Sequence, residues 1–462
     1  MSTASMSTAS VSSTRLNTAT IPAAACGCAA HDSGHGAHML DVAAAQTLIR
    51  QRCTPLPSER LPLAQAEGRV SATALCSRCN LPPFANAAMD GYALAWRDSI
   101  TPGAECDVIA ERAAGDGALI IDSGDDHAAI AIMTGARMPD GADTAAFDTV
   151  VPVEDATVLA RDAEGRALRL RIDRAPQRGQ HVRRAGEDIA AGDEAVPAGV
   201  RLGPSELMLL RGAGVATVEV VRRPLVALAC TGRELVDTPG APLAPGQIYN
   251  TNRAYLESRL REAGAVLHAT TTIADDPAVF LAYVRGWMAE GVDIVISTGA
   301  VSMGRYDFVP DTLDMLGAQI VFHKLRMRPG KPLLFAVLPN GALFFGLPGN
   351  PVSSAVGLRF FVEIALRHML GMAPERPWRL PLAEAVSKKP GFHLFQKAEL
   401  RLDADGVVRV GLLKGQESFK TRPLLRARVW AGLPTQAESL PAGALVDVHP
   451  LCHFDDHLFA RE

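Results

Sequence analysis

The stretch ALFFGLPGNPVSSAVGLRFFVEIALRHML (342–370) decides the fold. ALFF is a short apolar run of the kind that forms a buried strand. Val352, Val356, Phe360 and Ile364 then repeat every four residues, the spacing of a helix stripe. Pro351 suits the first helical turn, where no backbone N–H is required. The link between strand and helix carries Gly346, Pro348, Gly349, Asn350 and Pro351, more than a tight turn requires. A loop that holds an anion against a helix N-terminus uses such residues, because backbone N–H groups and the helix dipole both favour negative charge. The plainer reading is a strand-to-helix turn in which Ser353 and its neighbour cap the helix. Open α/β sheets bind their ligands at the carboxyl ends of their parallel strands, where this loop is expected to lie.

Outward from this loop the texture repeats. PLVALAC (224–230), VDIVIS (292–297) and PLLFAVL (332–338) are near-continuous apolar runs separated by helical patterns, TNRAYLESRLREAG (251–264) being the clearest. They predict buried parallel strands alternating with helices, a doubly wound α/β layer. ALACTGREL places Thr231, Gly232 and Glu234 past one strand. DIVISTGAVSMGRYDFVPD places Ser297, Thr298, Gly299, Ser302 and Gly304 past another, followed by Asp307 and Asp311. Each loop alone reads equally as a βα turn; three at one sheet edge point N–H groups at phosphate or another oxyanion. FHKLRMRPGKP adds His323, Lys324, Arg326, Arg328 and Lys331 just before a buried run, so several of these cations are expected at the same rim rather than on a solvated face. Glu234, Asp275, Asp276 and Asp307 supply carboxylates. Cations and carboxylates at one rim suit an anionic ligand with Mg2+. IADDP reads as well as a helix cap before Pro277.

The remaining chain has other textures. Residues 1–38 are polar and low in complexity, a disordered tail carrying Cys26, Cys28, His31, His35 and His38 at spacings open to Zn2+ or copper as well as to no metal. MLDVAAAQTLIR begins regular structure near Met39. Residues of about 81–182 are short β-like runs broken by Gly, Pro and Asp, and SELMLLRGAG after Pro204 reads as a helix. After about Pro374, KAELRLD, VVRVGLL, RARVWAGL and ALVDVHPL read as strands of a small all-β domain. CSRC (76–79) supplies half a zinc site and reads as structural. The 462 residues are 48% hydrophobic and 21% charged, enough for about three packed domains. The net charge of −4 argues against a nucleic-acid or acidic-membrane binder. No apolar stretch approaches the ~18 residues of a spanning helix, and the start lacks a secretory h-region. Eight cysteines in so long a chain predict a reducing, cytoplasmic setting.

PPFANAAMDGYAL (82–94), IMTGARMPDGAD (132–143), RRAGEDI (183–189), TGREL (231–235), GQIYNTNR (246–253), DDP (275–277), STGAVSMGRYDFVP (297–310), MRPGKP (327–332) and GLPGNPVSS (346–354) occur in this order. In that combination the chain strongly resembles the molybdopterin molybdenumtransferases, the MoeA family, to which the gephyrin E-domain is similar. The resemblance covers about residues 39–450. It implies a multidomain α/β plus β protein: an N-terminal and linker region over 39–222 with an inserted β-rich domain at about 81–182, a MoaB/Mog-like α/β domain over 223–373, and a C-terminal β-barrel-like domain over 374–462. It implies an elongated homodimer with an active cleft between the α/β domain of one subunit and the N-terminal region of the other. The implied reaction takes adenylylated molybdopterin, molybdate and Mg2+, places molybdenum on the dithiolene and releases AMP. Contact with a molybdopterin adenylyltransferase and with target molybdoenzymes is implied as well.

Carried over by position, the resemblance implies catalytic roles for Asp90, Thr134, Asp188, Glu234, Asp275 and Asp307, with Glu234, Asp275 and Asp307 as metal ligands. It implies substrate contacts for Arg183, Thr231, Gly232, Ser297, Gly299, Ser302, Lys324, Arg328, Lys331, Pro348, Gly349, Pro351 and Ser353. Five positions depart from the family pattern: Ala85 and Arg233 replace acids, Asn250 replaces the Asp of YDTNR, Ala300 replaces a glycine, and Pro423 stands near an expected serine, with Thr421 beside it and Lys397 where a basic residue is expected. Two alternatives remain: adenylylation of molybdopterin by the α/β domain, and a gephyrin-like scaffold without catalysis. The N-terminal AMDGYA and GED segments disfavour the first, and the set of acids disfavours the second.

Overall fold

Leu225–Thr231 (β1), Val266–Ile273 (β2), Ile294–Thr298 (β3), Gln319–His323 (β4), Leu334–Val337 (β5) and Leu343–Leu347 (β6) form one six-stranded sheet in the order β2-β1-β3-β6-β5-β4. This is a computed structural model, and it describes residues 39–121, 127–141, 147–301 and 307–452. The Cys26–His38 cluster, Ser302 and Gly304 lie outside the described residues. The apolar runs become strands because both sheet faces are covered. Leu228, Ile296, Phe335 and Phe345 pack into one cluster, while Ala229, Val295, Ala336 and Phe344 pack into another with Phe280 and Trp287. Near-continuous apolar sequence is what two buried faces require.

The strands β2, β1, β3 and β6 are parallel. The expectation of parallel pairing fails for PLLFAVL, since β5 runs antiparallel to both β6 and β4. The reason is local. Asn340-Gly341 closes a tight turn, with Gly341 at φ 87° and the Leu338 N–H donating to the Ala342 carbonyl over 2.9 Å. A turn so short joins only antiparallel neighbours. The NG dipeptide between two apolar runs was the signal for it.

The helices follow their caps. Asp41 precedes Val42–Arg52 and accepts from the Ala44 N–H at 2.8 Å. Asn250 precedes Thr251–Glu262 (α1) and accepts from the Arg253 N–H at 3.1 Å. The segment after β6 is not one regular helix. Pro351–Gly357 passes through a π turn at Leu358–Val362 into Glu363–Met369. The stripe Val352, Val356, Phe360 and Ile364 is buried as expected, but so are Arg359 and Glu363. Arg359 reaches the Pro450 carbonyl at 2.9 Å and the Glu375 carboxylate at 2.5 Å, so this charge is buried with partners.

A second six-stranded sheet, built from Ala156–Arg161, Ala167–Ile172, Glu105–Arg112, Ala128–Ile132, Gly91–Leu94 and Thr149–Pro152, lies in the N-terminal region. The third is C-terminal. Its strands His393–Leu402, Val408–Leu412, Val429–Leu433 and Leu445–Pro450 coincide with the four predicted runs, and Trp378–Pro381 completes one edge. A bridge from Leu382 to Val410 curls that edge back toward Val408–Leu412. At the other edge the sheet takes in Met327–Arg328, which pairs in parallel with His393 and Leu394. Thus the MRPGKP segment leaves the α/β sheet and joins the C-terminal one.

Candidate active site

Register places the loops on one edge. Ile273 pairs with Thr231, Cys230 with Thr298, and Thr298 with Leu347, so four parallel strands end in line. The start of β5 pairs with both Gly346 and His323, which brings the 324–333 segment to this edge too. The predicted rim therefore exists, and it is tightly laced. The Gly232 N–H donates to the Ile273 carbonyl and the Gly299 N–H to the Leu347 carbonyl, each at 3.0 Å. Thr231 donates its hydroxyl to the Thr298 carbonyl at 2.9 Å. Thr231 and Ser297 are buried inside the strands, not past them; Thr231 ties the rim from beneath, while the buried Ser297 hydroxyl has no hydrogen-bond partner among the described residues.

The two acids of DDP divide their work. Asp276 accepts from the Ala278 and Val279 N–H groups at 2.9 and 3.1 Å, capping the Pro277–Ala289 helix. Asp275 points the other way and accepts the Arg233 N–H at 3.3 Å. Glu234 folds back over Gly232, where its carboxylate oxygens lie 2.6 and 2.7 Å from the position a Cβ would take. Asp307 is half-buried near His323. Among the described residues no three acidic, His or Cys side chains form a metal-binding group, so Glu234, Asp275 and Asp307 are not a three-carboxylate cage. The three come from separate loops. Mg2+ is compatible with this sparser set, because it is usually held by one or two carboxylates with water and substrate phosphate.

The cations gather beside the C-terminal sheet. A cleft of about 650 Å³ is lined by Arg328, Lys331, Ser353, Lys389, Phe392, Gln396 and Ser418, among others. The 324–333 loop is closed by Lys324 N–H to Leu333 carbonyl at 3.0 Å and Leu325 N–H to Lys331 carbonyl at 2.8 Å, with Lys324 itself left-handed at φ 74°. Pro348 accepts the Ser354 hydroxyl, and the Gly349 carbonyl accepts Asn252 Nδ2 at 2.8 Å. Pro351 opens the helix as expected. The idea that several free N–H groups there face a ligand needs correction. The Val352 N–H donates to the Ser418 carbonyl at 3.0 Å and the Ser354 N–H to the Asn350 carbonyl at 3.0 Å. Ser353 is the residue of this turn that lines the cleft.

The departures resolve individually. Pro423 and Thr421 line a different groove with Arg401 and Arg426, and Ser387 and Ser418 are the C-terminal serines lining the cleft. Lys397 is fully buried and donates to the Lys420 carbonyl at 3.1 Å; burial pushes its ammonium below the usual range. It secures the loop that carries Ser418 instead of lining the cleft. Asn250 keeps the cap and donates Nδ2 to Asp237 at 3.0 Å, where an Asp would meet a like charge. Ala300 adopts φ 52° despite its Cβ. Sequence reading missed Phe392 and Ser418, which no local pattern marks; Asn252 lay inside a quoted motif.

A second cluster lies in the N-terminal region, at the ends of its six-stranded sheet and on the separate Val182–Arg183 and Asn86–Ala87 ladder. Asp90 accepts the Thr134 N–H at 2.6 Å and its hydroxyl at 2.8 Å; these two bonds, the backbone one first, hold the carboxyl below the usual carboxylate range. Arg183 pairs with Asn86, and the Asp188 N–H bonds the Leu81 carbonyl at 3.0 Å, so all three segments converge with exposed Asp90, Arg183 and Asp188. Neither sheet shares a strand with the α/β sheet.

Fold and rim together define a multidomain α/β protein with glycine loops, acids and cations along the carboxyl edge of four parallel strands. Residues 40–214 match the MoeA N-terminal region (domain I and II), and residues 227–368 match the probable molybdopterin binding domain. A molybdopterin molybdenumtransferase of Synechococcus elongatus is 36% identical over 402 residues, 86% of this chain and 95% of that protein. One from Haemophilus influenzae is 31% identical, over 88% and 97%. The crystal structure of the molybdopterin biosynthesis MoeA protein from Pyrococcus horikoshii superposes with a TM-score of 0.73 at 25% identity, covering 89% of this chain and 100% of that one. The chain belongs to the MoeA family of molybdopterin molybdenumtransferases, transferases of molybdenum cofactor biosynthesis.

Proposed function

We propose that the chain inserts molybdenum from molybdate into adenylylated molybdopterin, releasing AMP, and that it divides the two substrates between two adjoining places. The rim of glycine loops with Glu234, Asp275 and Asp307 takes the nucleotide and its phosphoanhydride. The cleft with Arg328, Lys331 and Ser353 takes molybdate. One observation carries this reading: strand register brings the acidic loops and the basic segment to one sheet edge, in adjoining order.

The residues present suit the chemistry. Molybdate is a tetrahedral dianion, so it is recognised by fixed donors and positive charge. Arg328 and Lys331 supply charge-assisted bonds and Ser353 a hydroxyl. Asp275 is left outward because Asp276 takes the cap, and Glu234 stands on the neighbouring loop. These two carboxylates, with water and phosphate, would hold Mg2+, which neutralises charge developing on the anhydride. The cations of the 324–333 segment orient the anionic substrate. Asp90, Thr134, Arg183 and Asp188 complete the cleft from the second subunit of a homodimer, in the cytoplasm, with molybdopterin adenylyltransferase and recipient molybdoenzymes as transient partners. The test supplies adenylylated molybdopterin with molybdate and Mg2+ in one reaction and molybdopterin with ATP in another. AMP release only in the first supports transfer; consumption of ATP in the second replaces this reading with adenylylation.

A further inference from the structure

Arg328 is exposed, yet it is not adrift. Its guanidinium carbon lies 4.4 Å from the centroid of the Phe392 ring. Among the described residues it has no carboxylate and no hydrogen-bond acceptor, so its five N–H donors are unspent. Its backbone is fixed as well, because Arg328 pairs with Leu394 in the C-terminal sheet, two residues beyond Phe392. Phe392 is half-buried, and the Pro390-Gly391 turn before it, with Gly391 at φ 94°, leads directly into the His393–Leu402 strand. The ring and the guanidinium both line the cleft that holds Lys331 and Ser353.

An exposed arginine ordinarily samples many rotamers, and binding an anion must freeze them. A guanidinium resting on an aromatic face is already restricted, while its edge donors stay free for a ligand. We infer that Phe392 is a positioning residue for the oxyanion: it holds Arg328 flat across the junction of the α/β and C-terminal sheets, so that the planar fork meets molybdate preorganised. This rests on the assignment of the cleft to molybdate. It gives a distinct use to the arginine at 328, because a lysine there has no plane to be oriented.

The experiment titrates molybdate in the AMP-release assay with saturating adenylylated molybdopterin. Phe392→Leu keeps bulk and loses the π face. It is expected to raise the molybdate concentration for half-maximal rate roughly three- to tenfold, with the rate at saturating molybdate and the thermal midpoint close to the parent. Phe392→Tyr restores the face and should behave as the parent. In an Arg328→Ala background, Phe392→Leu should have no further effect on the molybdate requirement. If Phe392→Leu is unstable, Phe392→Met replaces it with the same expectation. An unchanged requirement in the Leu or Met variant, or an equal loss in the Tyr variant, overturns the role of Phe392. So does a full effect of Phe392→Leu without Arg328. If Arg328→Ala alone leaves the molybdate requirement unchanged, the cleft assignment itself fails.

Discussion

Asp275 and Asp276 are neighbours in the chain, and only geometry separates cap from candidate ligand. Sequence reading left both roles open because either acid satisfies the pattern before Pro277. The structure assigns the cap to Asp276 by two backbone bonds, which frees Asp275. Asp90 poses a similar question of how a side chain is held. Its carboxyl sits below the usual range through the Thr134 N–H and, second, the Thr134 hydroxyl. A depressed carboxylate contributes stability above its unfolded pKa and loses it as pH falls through the folded value. Thr134→Val removes the hydroxyl and leaves the N–H. The Asp90 carboxyl, followed by NMR, is expected to titrate at a higher pH than in the parent while remaining below an ordinary Asp. No movement would show that the hydroxyl bond is not formed in solution.

At the scale of elements, the rim depends on close backbone approach. Gly299 has φ 88°, and a Cβ there would lie 2.7 Å from Thr231 Oγ1 and 2.8 Å from the Thr231 carbonyl. Gly299→Ala is therefore expected to lose roughly 1–3 kcal/mol in urea unfolding, from steric overlap and an unfavourable φ together. The neighbouring Ala300, at φ 52°, makes the opposite case: Ala300→Gly should gain up to about 1 kcal/mol. Equal midpoints for parent and Gly299→Ala would mean that β1 and β3 do not meet as described. These loops were legible in sequence because glycine and hydroxyl residues follow apolar runs at each strand end. The direction of β5 was legible in principle from Asn340-Gly341, but the run's composition resembled its parallel neighbours and was read with them. Phe392 and Ser418 were not legible, since their roles arise from contacts with Arg328 and Val352, far off in the chain.

Across the whole molecule, the C-terminal sheet is more than an appendage, because it takes Met327–Arg328 as a strand and caps the turn that carries Ser353. The sequence showed the four later strands but not this exchange, which no run of residues encodes locally. The same junction carries a pH response. Burial pushes the His393 imidazole down to about 4, with His449 and Lys388 adding to the effect and Asp447 opposing it. A histidine held below its unfolded value costs stability when the unfolded chain takes up the proton first, so stability should rise with pH between about 4 and 6.5. His393→Gln should flatten that rise, which is at most about 3 kcal/mol in urea unfolding; an unaltered slope would assign it to other groups. The central claim is that the junction cleft holds molybdate beside a separate nucleotide rim. Its most direct test is the molybdate dependence of AMP release in Lys331→Ala and Ser353→Ala. The account predicts that the half-maximal molybdate concentration rises about ten- to a hundredfold with adenylylated molybdopterin binding nearly unchanged. Parental molybdate dependence in both variants would contradict it.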